Sequence, residues 1–570
     1  MKNIEVAKIL YEIAEMLEMR GVAFKPRAYQ RAARSVESLS EDIEKIYEED
    51  RLNEIPGVGE NIAKKIFELI KTGRLRYYEE LKRKMPMKVD ELIGVSGLGP
   101  KRIMILYKKL GVRNIKDLTR VAKEHKIQRL QGFGLKTEED ILRGIEFVKK
   151  KTGRFLLGYI IPVAEEIKEN IKKLKSVEQV EIAGSYRRRK ETVGDLDILV
   201  ISSKPREVME FIVNMPDVSD VLAKGETKTI IRLKNGLKID VRVLEEKEYG
   251  SALQYFTGNK EHNIELRKIA LKKGYSLSEY ELFGLRDKKL VAGRSEEEIY
   301  KKLGAKYIPP EMRENKGEIQ LSLHGKLPKL IEEKDIIGDF QMHSEWSDGV
   351  NSIEEMAGEA IRLGHRFIAI TDHVGQLAIA NALNERRLEK QIKIINKLNN
   401  KFNLRIFKGA EVDILKNGQL ALSRKMQEKL DVVLASVHSG FKIGEKEMTA
   451  RICRALENNR VHILAHPTGR LLNERESYPV NFEKLFDLAK KKEVFFEINC
   501  YPERMDLDGE KIKMARDVGC KFSIGTDSHS KEHLRYLKLG SFLARRGWLE
   551  KKDILNCFSI GRIEKILGGK

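Results

Sequence analysis

Over the first eighty residues apolar positions recur every three or four: Ile4, Ile9, Ile13, Met16 and Leu17, then Tyr29, Ala32, Ala33 and Val36. That spacing predicts amphipathic helices. From Arg154 the rhythm changes, with a helical run over 161–174 followed by segments at 180–183, 195–200 and 238–243 rich in strand formers. In the last two, apolar and polar residues alternate, which predicts strands with one buried face. Residues 319–335, with Gly325, Pro328 and a run of charge, read as a linker. Beyond it short apolar runs at 336–342, 367–370, 404–407, 432–436, 461–465, 494–498 and 522–524 alternate with helical stretches. Seven strand–helix units predict a parallel α/β barrel.

The strand at 195–200 carries two carboxylates, Asp195 and Asp197, in alternation with Leu196, Ile198 and Val200. Side chains two apart leave the same face, close enough to share hard cations. A third carboxylate belongs on a neighbouring strand, and Asp240 within 238–243 supplies it. Upstream, a Gly184-Ser185 turn leads through Tyr186 into Arg187, Arg188, Arg189 and Lys190. Two Mg²⁺ ions on three carboxylates suit phosphoryl transfer, with the turn and the arginines holding a polyphosphate. An exposed acidic edge strand would explain the Asp pair but not the turn, the basic run and the third Asp together.

At 570 residues the chain is long for a single core and implies three or more compact units. A formal charge of +21 and a pI near 9.4 point to polyanionic partners. A solvated surface of a heat-adapted protein would give the same 34% of charged residues, so the motifs must decide. Cys453, Cys500, Cys520 and Cys557 lie far apart, which excludes a disulfide framework and predicts a reducing compartment. The first twenty residues are not a leader pattern, and no apolar run is long enough to span a membrane. The expectation is a cytoplasmic monomer with no membrane association.

Three short stretches share one pattern. Ile55-Pro56-Gly57-Val58-Gly59 precedes a helical run, Val95-Ser96-Gly97-Leu98-Gly99 precedes another, and Leu130-Gln131-Gly132-Phe133-Gly134 a third. Glycines that permit close backbone approach, followed by the free N–H groups of a helix start, suit a DNA phosphate without regard to sequence. This is the helix-hairpin-helix pattern.

In the barrel, polar residues fall where barrel enzymes place their chemistry. His343, His373, Glu411, His438, His466, Asp527 and His529 sit at or just beyond the ends of the apolar runs, and Asp348 lies in the first loop. His, Asp and Glu in this mixture suit Mn²⁺ or Zn²⁺. His365, His462 and His533 read instead as packing or surface residues.

The stretch from Gly184 to Val200 resembles the signature of family X DNA polymerases, and the second half, through Ser347-Asp348-Gly349, Thr371-Asp372-His373, Ala465-His466-Pro467 and Thr526-Asp527-Ser528-His529, resembles the PHP domain. The resemblance implies that Asp195, Asp197 and Asp240 are the catalytic metal-binding triad. It implies that Gly184, Ser185 and Arg188 hold the triphosphate, and that Tyr255, Phe256 and Gly258 lie against the nucleotide sugar. Asn263 and Arg267 would make minor-groove contacts. Lys238 stands where the animal polymerase beta has Arg, which keeps a cation but not a bidentate fork. The N-terminal segment is similar to that family's lyase domain, with Lys65 at the Schiff-base lysine and Asn61 in place of a phosphate-binding lysine.

For the PHP domain the resemblance implies phosphoester hydrolysis by a three-metal cluster, with Gln341 where the first motif usually has His. The implied fold is multidomain α/β: a helical lyase-like domain at 1–80, a helix-hairpin-helix subdomain at 81–153, a palm with a mixed sheet at 154–244, a nucleotide-selecting subdomain at 245–318, the linker at 319–335 and a seven-stranded (β/α) PHP barrel at 336–570. The implied activity is a DNA polymerase filling short gaps in primed DNA from dNTPs in base excision repair, with a metal-dependent 3′–5′ exonuclease or abasic-site phosphoesterase attached. The rival readings are a nucleotidyltransferase on a non-DNA acceptor and a DNA-end-binding scaffold without catalysis.

Overall fold

The computed structural model describes residues 3–20, 22, 25–37, 39, 41–83, 85, 87, 92, 95, 98, 100–148, 153–375 and 380–569. They form two units, Met1–Lys149 and Lys150–Lys570.

The first unit is helical. Helices Asn3–Met19 and Lys25–Glu37 bury Leu10, Ile13, Met16, Ala32 and Val36, the residues that the three-and-four spacing selects. The same core takes in Ile66 and Leu69 of helix Glu60–Thr72, Leu106 of Pro100–Leu110, Leu118 of Ile115–Lys123 and Ile141 of Leu135–Val148. The hairpin turns share one hydrogen bond: Val58 N–H to Ile55 O at 2.9 Å, Leu98 to Val95 at 3.1 Å and Phe133 to Leu130 at 3.0 Å. Gly57 and Gly132 take φ of 80° and 84°, a left-handed conformation that glycine adopts without strain. Gly97 and Gly99 lie outside the described residues, while Gly59 caps helix Glu60–Thr72 and Gly134 precedes helix Leu135–Val148.

The second unit opens with β1 (Phe155–Leu156), which pairs antiparallel with β3 (Thr192–Val193). Its palm is a five-stranded sheet of β2 (Val177–Ile182), β4 (Asp195–Ser202), β7 (Lys238–Leu244), β6 (Lys228–Leu233) and β5 (Val218–Lys224), in that spatial order. β4 and β7 run parallel and every other neighbouring pair antiparallel, so the sheet is mixed. Leu196, Ile198 and Val200 are fully buried on one face of β4, which fixes its register and turns the aspartates the other way.

The stretch 245–318 follows, with helices Tyr249–Thr257, Lys260–Lys272 and Glu296–Lys302 and an antiparallel sheet of β8 (Tyr275–Leu277), β9 (Leu282–Gly284) and β10 (Leu290–Ala292). The stretch read as a linker from 319 does not begin as one. Glu318–Leu323 is a helix, and its Ile319 is buried in the core of the preceding subdomain with Leu266, Ile299, Tyr300 and Ile308. Charge at 314–318 and the glycine at 325 masked three apolar positions, Ile319, Leu321 and Leu323, that pack inward.

The barrel strands are β11 (Gly338–Asp339), β12 (Phe367–Ile370), β14 (Arg405–Asp413), β15 (Val432–Ser436), β16 (Ile463–Leu464), β17 (Phe495–Asn499) and β18 (Phe522–Gly525), parallel and adjacent in chain order. A short extra strand, β13 (His373–Val374), pairs with the end of β14. Phe340 N–H donates to Ile524, Asp527 N–H to Gln341 and His343 N–H to Ser528, joining the last strand to the first. Phe367, Val432, Ile463 and Phe495, each the first residue of its strand, pack in one cluster with Ile563 and Leu567 of the final helix Ile560–Gly568. The N-terminal end of the barrel is thus plugged, which leaves chemistry to the opposite end. Among the described residues no helix is long and apolar enough to cross a membrane.

Candidate active sites

Register brings the palm carboxylates together. Asp197 on β4 lies directly opposite Asp240 on the parallel β7, and Asp195 opposite Lys238. Burial, then the charges of Asp195 and Asp240, push Asp197 up to about 7. Lys228 Nζ stands 3.4 Å from one Asp240 oxygen and Arg242 Nε 3.6 Å from the other, which is buried without a hydrogen-bond partner. Crowded carboxylates with an orphaned oxygen fit a divalent cation, which would relieve the repulsion.

The turn is built around the same group. Ala183 N–H donates to Asp197 O at 2.7 Å, and Gly184 takes φ of 63°. A Cβ on Gly184 would lie 2.6 Å from Asp197 Oδ2, so only glycine leaves that carboxylate room. Ser185 is half-buried in the following turn of helix Gly184–Arg187. Arg188 is not free: Nε reaches Glu314 Oε1 at 3.1 Å and Nη1 donates to the carbonyl of Thr257. Tyr255 and Phe256 meet edge to face, with Arg242 4.5 Å from the Phe256 ring and Arg267 6.0 Å from that of Tyr255. Asn263 donates to Tyr255 O at 2.7 Å and accepts from Gln254 at 2.7 Å. Gly258 caps the helix that carries this motif.

In the helical unit, Lys65 lies on helix Glu60–Thr72, donates to Asn61 O at 2.9 Å and sits 4.9 Å over the Tyr77 ring. Burial and the nearby Lys25 lower its pKa, the direction that makes an amine nucleophilic.

At the barrel mouth the polar residues converge on Glu411. Its Oε1 is 2.8 Å from His466 Nε2 and 3.0 Å from His438 Nε2, and its Oε2 is 3.3 Å from His343 and 3.6 Å from His373. His343 also meets Asp527 at 3.1 Å, and Asp348 lies 3.4 Å from His529 and 3.7 Å from His373. Three overlapping sets of donor atoms result: His343, Asp348, His373 and His529; His373, Glu411 and His438; His343, Glu411 and Asp527. Gln341 donates to Glu411 at 3.0 Å, leaving its own Oε1 buried without a partner, as are His343 Nδ1 and His466 Nδ1. So many imidazoles and carboxylates facing one another around orphaned atoms fit metal ions better than a network of their own.

Sequence reading passed over the residues that hold these donors. Asp413 takes His438 Nδ1 at 2.5 Å, and although burial opposes it, Glu411 and Asp413 lift His438 to about 9. Arg504 and Asn499 both hold Asp527, each at 3.1 Å. Glu497 accepts the His466 N–H at 2.7 Å. Asn499 was visible just beyond the predicted run 494–498, and Glu497 as a polar residue within it, the signal that selected the donors themselves, whereas Asp413 ends a strand that runs six residues past the predicted 404–407.

Carboxylates crowded beside a tight glycine turn and a basic run are the arrangement of a nucleotidyltransferase, and a parallel barrel with such a mouth is that of a metal-dependent phosphoesterase. Residues 160–249 match the DNA polymerase beta palm family and 252–314 the DNA polymerase beta thumb. Residues 1–75 match a helix-hairpin-helix domain, 89–146 a SAM-like helix-hairpin-helix tandem and 339–500 the PHP domain. Over 567 residues, 99% of each chain, the sequence is 37% identical to the DNA polymerase/3′-5′ exonuclease PolX of Bacillus subtilis. It is 24% identical over 340 residues to the DNA polymerase lambda of Rattus norvegicus, covering 55% of this chain and 56% of that one. A probable phosphatase of Syntrophotalea carbinolica is 33% identical over 165 residues, 28% of this chain and 64% of its own. The chain belongs to the family X DNA polymerases that carry a C-terminal PHP domain.

Proposed function

We propose that this polymerase fills short gaps in DNA during repair, taking dNTPs at the palm, and that its barrel resects 3′ ends in the 3′ to 5′ direction. The observation that carries the reading is Asp197 facing Asp240 in register, with Asp195 two residues before it and Gly184 packed against the same carboxylate. Asp195, Asp197 and Asp240 would hold Mg²⁺, which when bound activates the attacking oxygen and stabilises the leaving one. Arg188 and Ser185 orient the triphosphate, Tyr255 and Phe256 offer an aromatic wall to the sugar, and Asn263 and Arg267 face the minor groove. Gln341, His343, Asp348, His373, Glu411, His438, His466, Asp527 and His529 would hold Mn²⁺ or Zn²⁺. Asp413 fixes the tautomer of His438, and Arg504 holds Asp527 in place. Work as a cytoplasmic monomer belongs to the same reading.

A second activity, release of the 5′ sugar phosphate at an abasic site, is favoured by the lowered pKa of Lys65 beside Lys25. The polymerase reading is tested by dNTP incorporation on DNA with a one-nucleotide gap, against an RNA acceptor, with Mg²⁺ and with chelator. Incorporation into gapped DNA that needs Mg²⁺ is expected. Equal extension of RNA, or none of either, contradicts it.

A further inference from the structure

The helix Leu537–Arg546 is part of the barrel segment, yet its last residues end at the polymerase site. Arg546, only 9% exposed, donates from Nη1 to the backbone carbonyl of Arg188 at 2.9 Å and to Glu314 Oε1 at 3.3 Å. Its Nε, 3.8 Å from Glu191, has no hydrogen-bond partner. Arg188 Nε takes the same Glu314 oxygen at 3.1 Å, while Lys190 stands 3.5 Å from the other. Neighbours pin the contact: Arg189 lies 4.5 Å from the Phe542 ring, Arg545 reaches Glu311 at 2.8 Å, and Trp548 is buried in the thumb core.

One carboxylate oxygen is therefore shared by two arginines, one from the palm and one from the barrel. In a site this closed their charges are weakly screened, so each weakens the hold of Glu314 on the other. If Arg188 is to turn to a triphosphate, Glu314 must give it up. With Arg546 present, Glu314 stays paired when that happens. Without it, Glu314 keeps only Lys190 as a cationic partner, with the neutral Asn259 amide at 3.3 Å, and a largely buried carboxylate stripped of its arginines resists the release.

We infer that Arg546 is a positioning residue for nucleotide addition: the barrel lends it to the palm, where it neutralises Glu314 and frees Arg188 for the incoming triphosphate. This rests on the reading of Arg188 as a triphosphate ligand. The polymerase site is thereby completed by a residue of the barrel segment, and the effect falls on nucleotide binding rather than on the chemical step.

The test measures dNTP affinity on gapped DNA with a dideoxy-terminated primer, together with KM and kcat for gap filling in the full chain. Arg546→Met should raise Kd and KM by about tenfold, the scale of a lost charge-assisted contact, with kcat little changed and 3′ resection retained. Arg546→Gln, which removes the charge but keeps a polar head group, should show the same rise, which ties the effect to the charge rather than to the loss of polarity. Adding Glu314→Gln to Arg546→Met should restore affinity, because no opposite charge then holds Arg188 back and only the neutral Thr257 carbonyl contact remains to be broken. Unchanged affinity in both Arg546 variants, or no recovery in the double variant, overturns the inference. Arg188→Met serves as the reference: if it leaves affinity unchanged, the reading of Arg188 fails and the inference with it, whereas a loss there with none at Arg546 overturns the inference alone.

Discussion

Glu296 is a carboxylate buried between two arginines: Arg187 binds it through both Nη atoms at 3.0 and 2.7 Å, and Arg313 at 2.5 Å. Burial opposes its charge, but Arg313 and Arg187 win and hold it down to about 2. A depressed carboxylate stabilises the fold fully above its ordinary value of 4.5, and that contribution is lost as pH falls through about 2. Glu296→Gln should therefore lower the unfolding free energy at pH 7 by about 3 kcal/mol, the cost of stranding buried charge. Denaturant titrations should show the gap to the parent narrowing as the pH drops below 4.5. A gap that does not change with pH would contradict the pairing. At Lys65 the test is covalent: borohydride should trap the parent on an abasic 5′ sugar phosphate and leave Lys65→Ala untrapped. Equal trapping of the two would remove Lys65 from the reaction.

The elements that position chemistry were those with the plainest patterns. β7 alternates because one face is buried, and β4 alternates at its start, where Leu196 and Ile198 are buried between and beyond the aspartates; the parallel register of the two strands then puts Asp195, Asp197 and Asp240 on one side of the sheet. The seven barrel runs were legible because strands buried on both faces are continuously apolar. What stayed hidden was pairing over distance. Arg188 and Glu314 are 126 positions apart, and Arg546 and Arg188 are 358 apart. Neither spacing leaves a local signature, whereas the thumb helix Glu318–Leu323 was missed for a local reason, the charge and glycine that flank its three apolar positions. At this scale the hairpin turns make their own prediction. If each of three turns takes one phosphate, log affinity for DNA should fall against log salt with a slope of about −2.7, near −0.9 per contact. Titrations from low to moderate salt measure it, and a flat response would assign the charge of +21 to solvation alone.

For the whole molecule, the second unit carries two phosphoryl-transfer sites of unlike chemistry on one chain. On the proposed reading the palm would offer three carboxylates to hard cations, and the barrel imidazoles and carboxylates around Glu411 to borderline ones. Polymerisation and resection are opposed reactions on the same DNA end, so the account requires that each be lost without the other. The direct measurement follows a 5′-labelled primer in gapped DNA with dNTPs and divalent metal, for the parent, Asp240→Ala, His438→Ala and the double variant. The parent should both lengthen and shorten the primer, Asp240→Ala should only shorten it, His438→Ala should only lengthen it, and the double variant should leave it intact. Lengthening by Asp240→Ala at a rate comparable to the parent, or shortening by the double variant as fast as by Asp240→Ala, would contradict the assignment of the two sites.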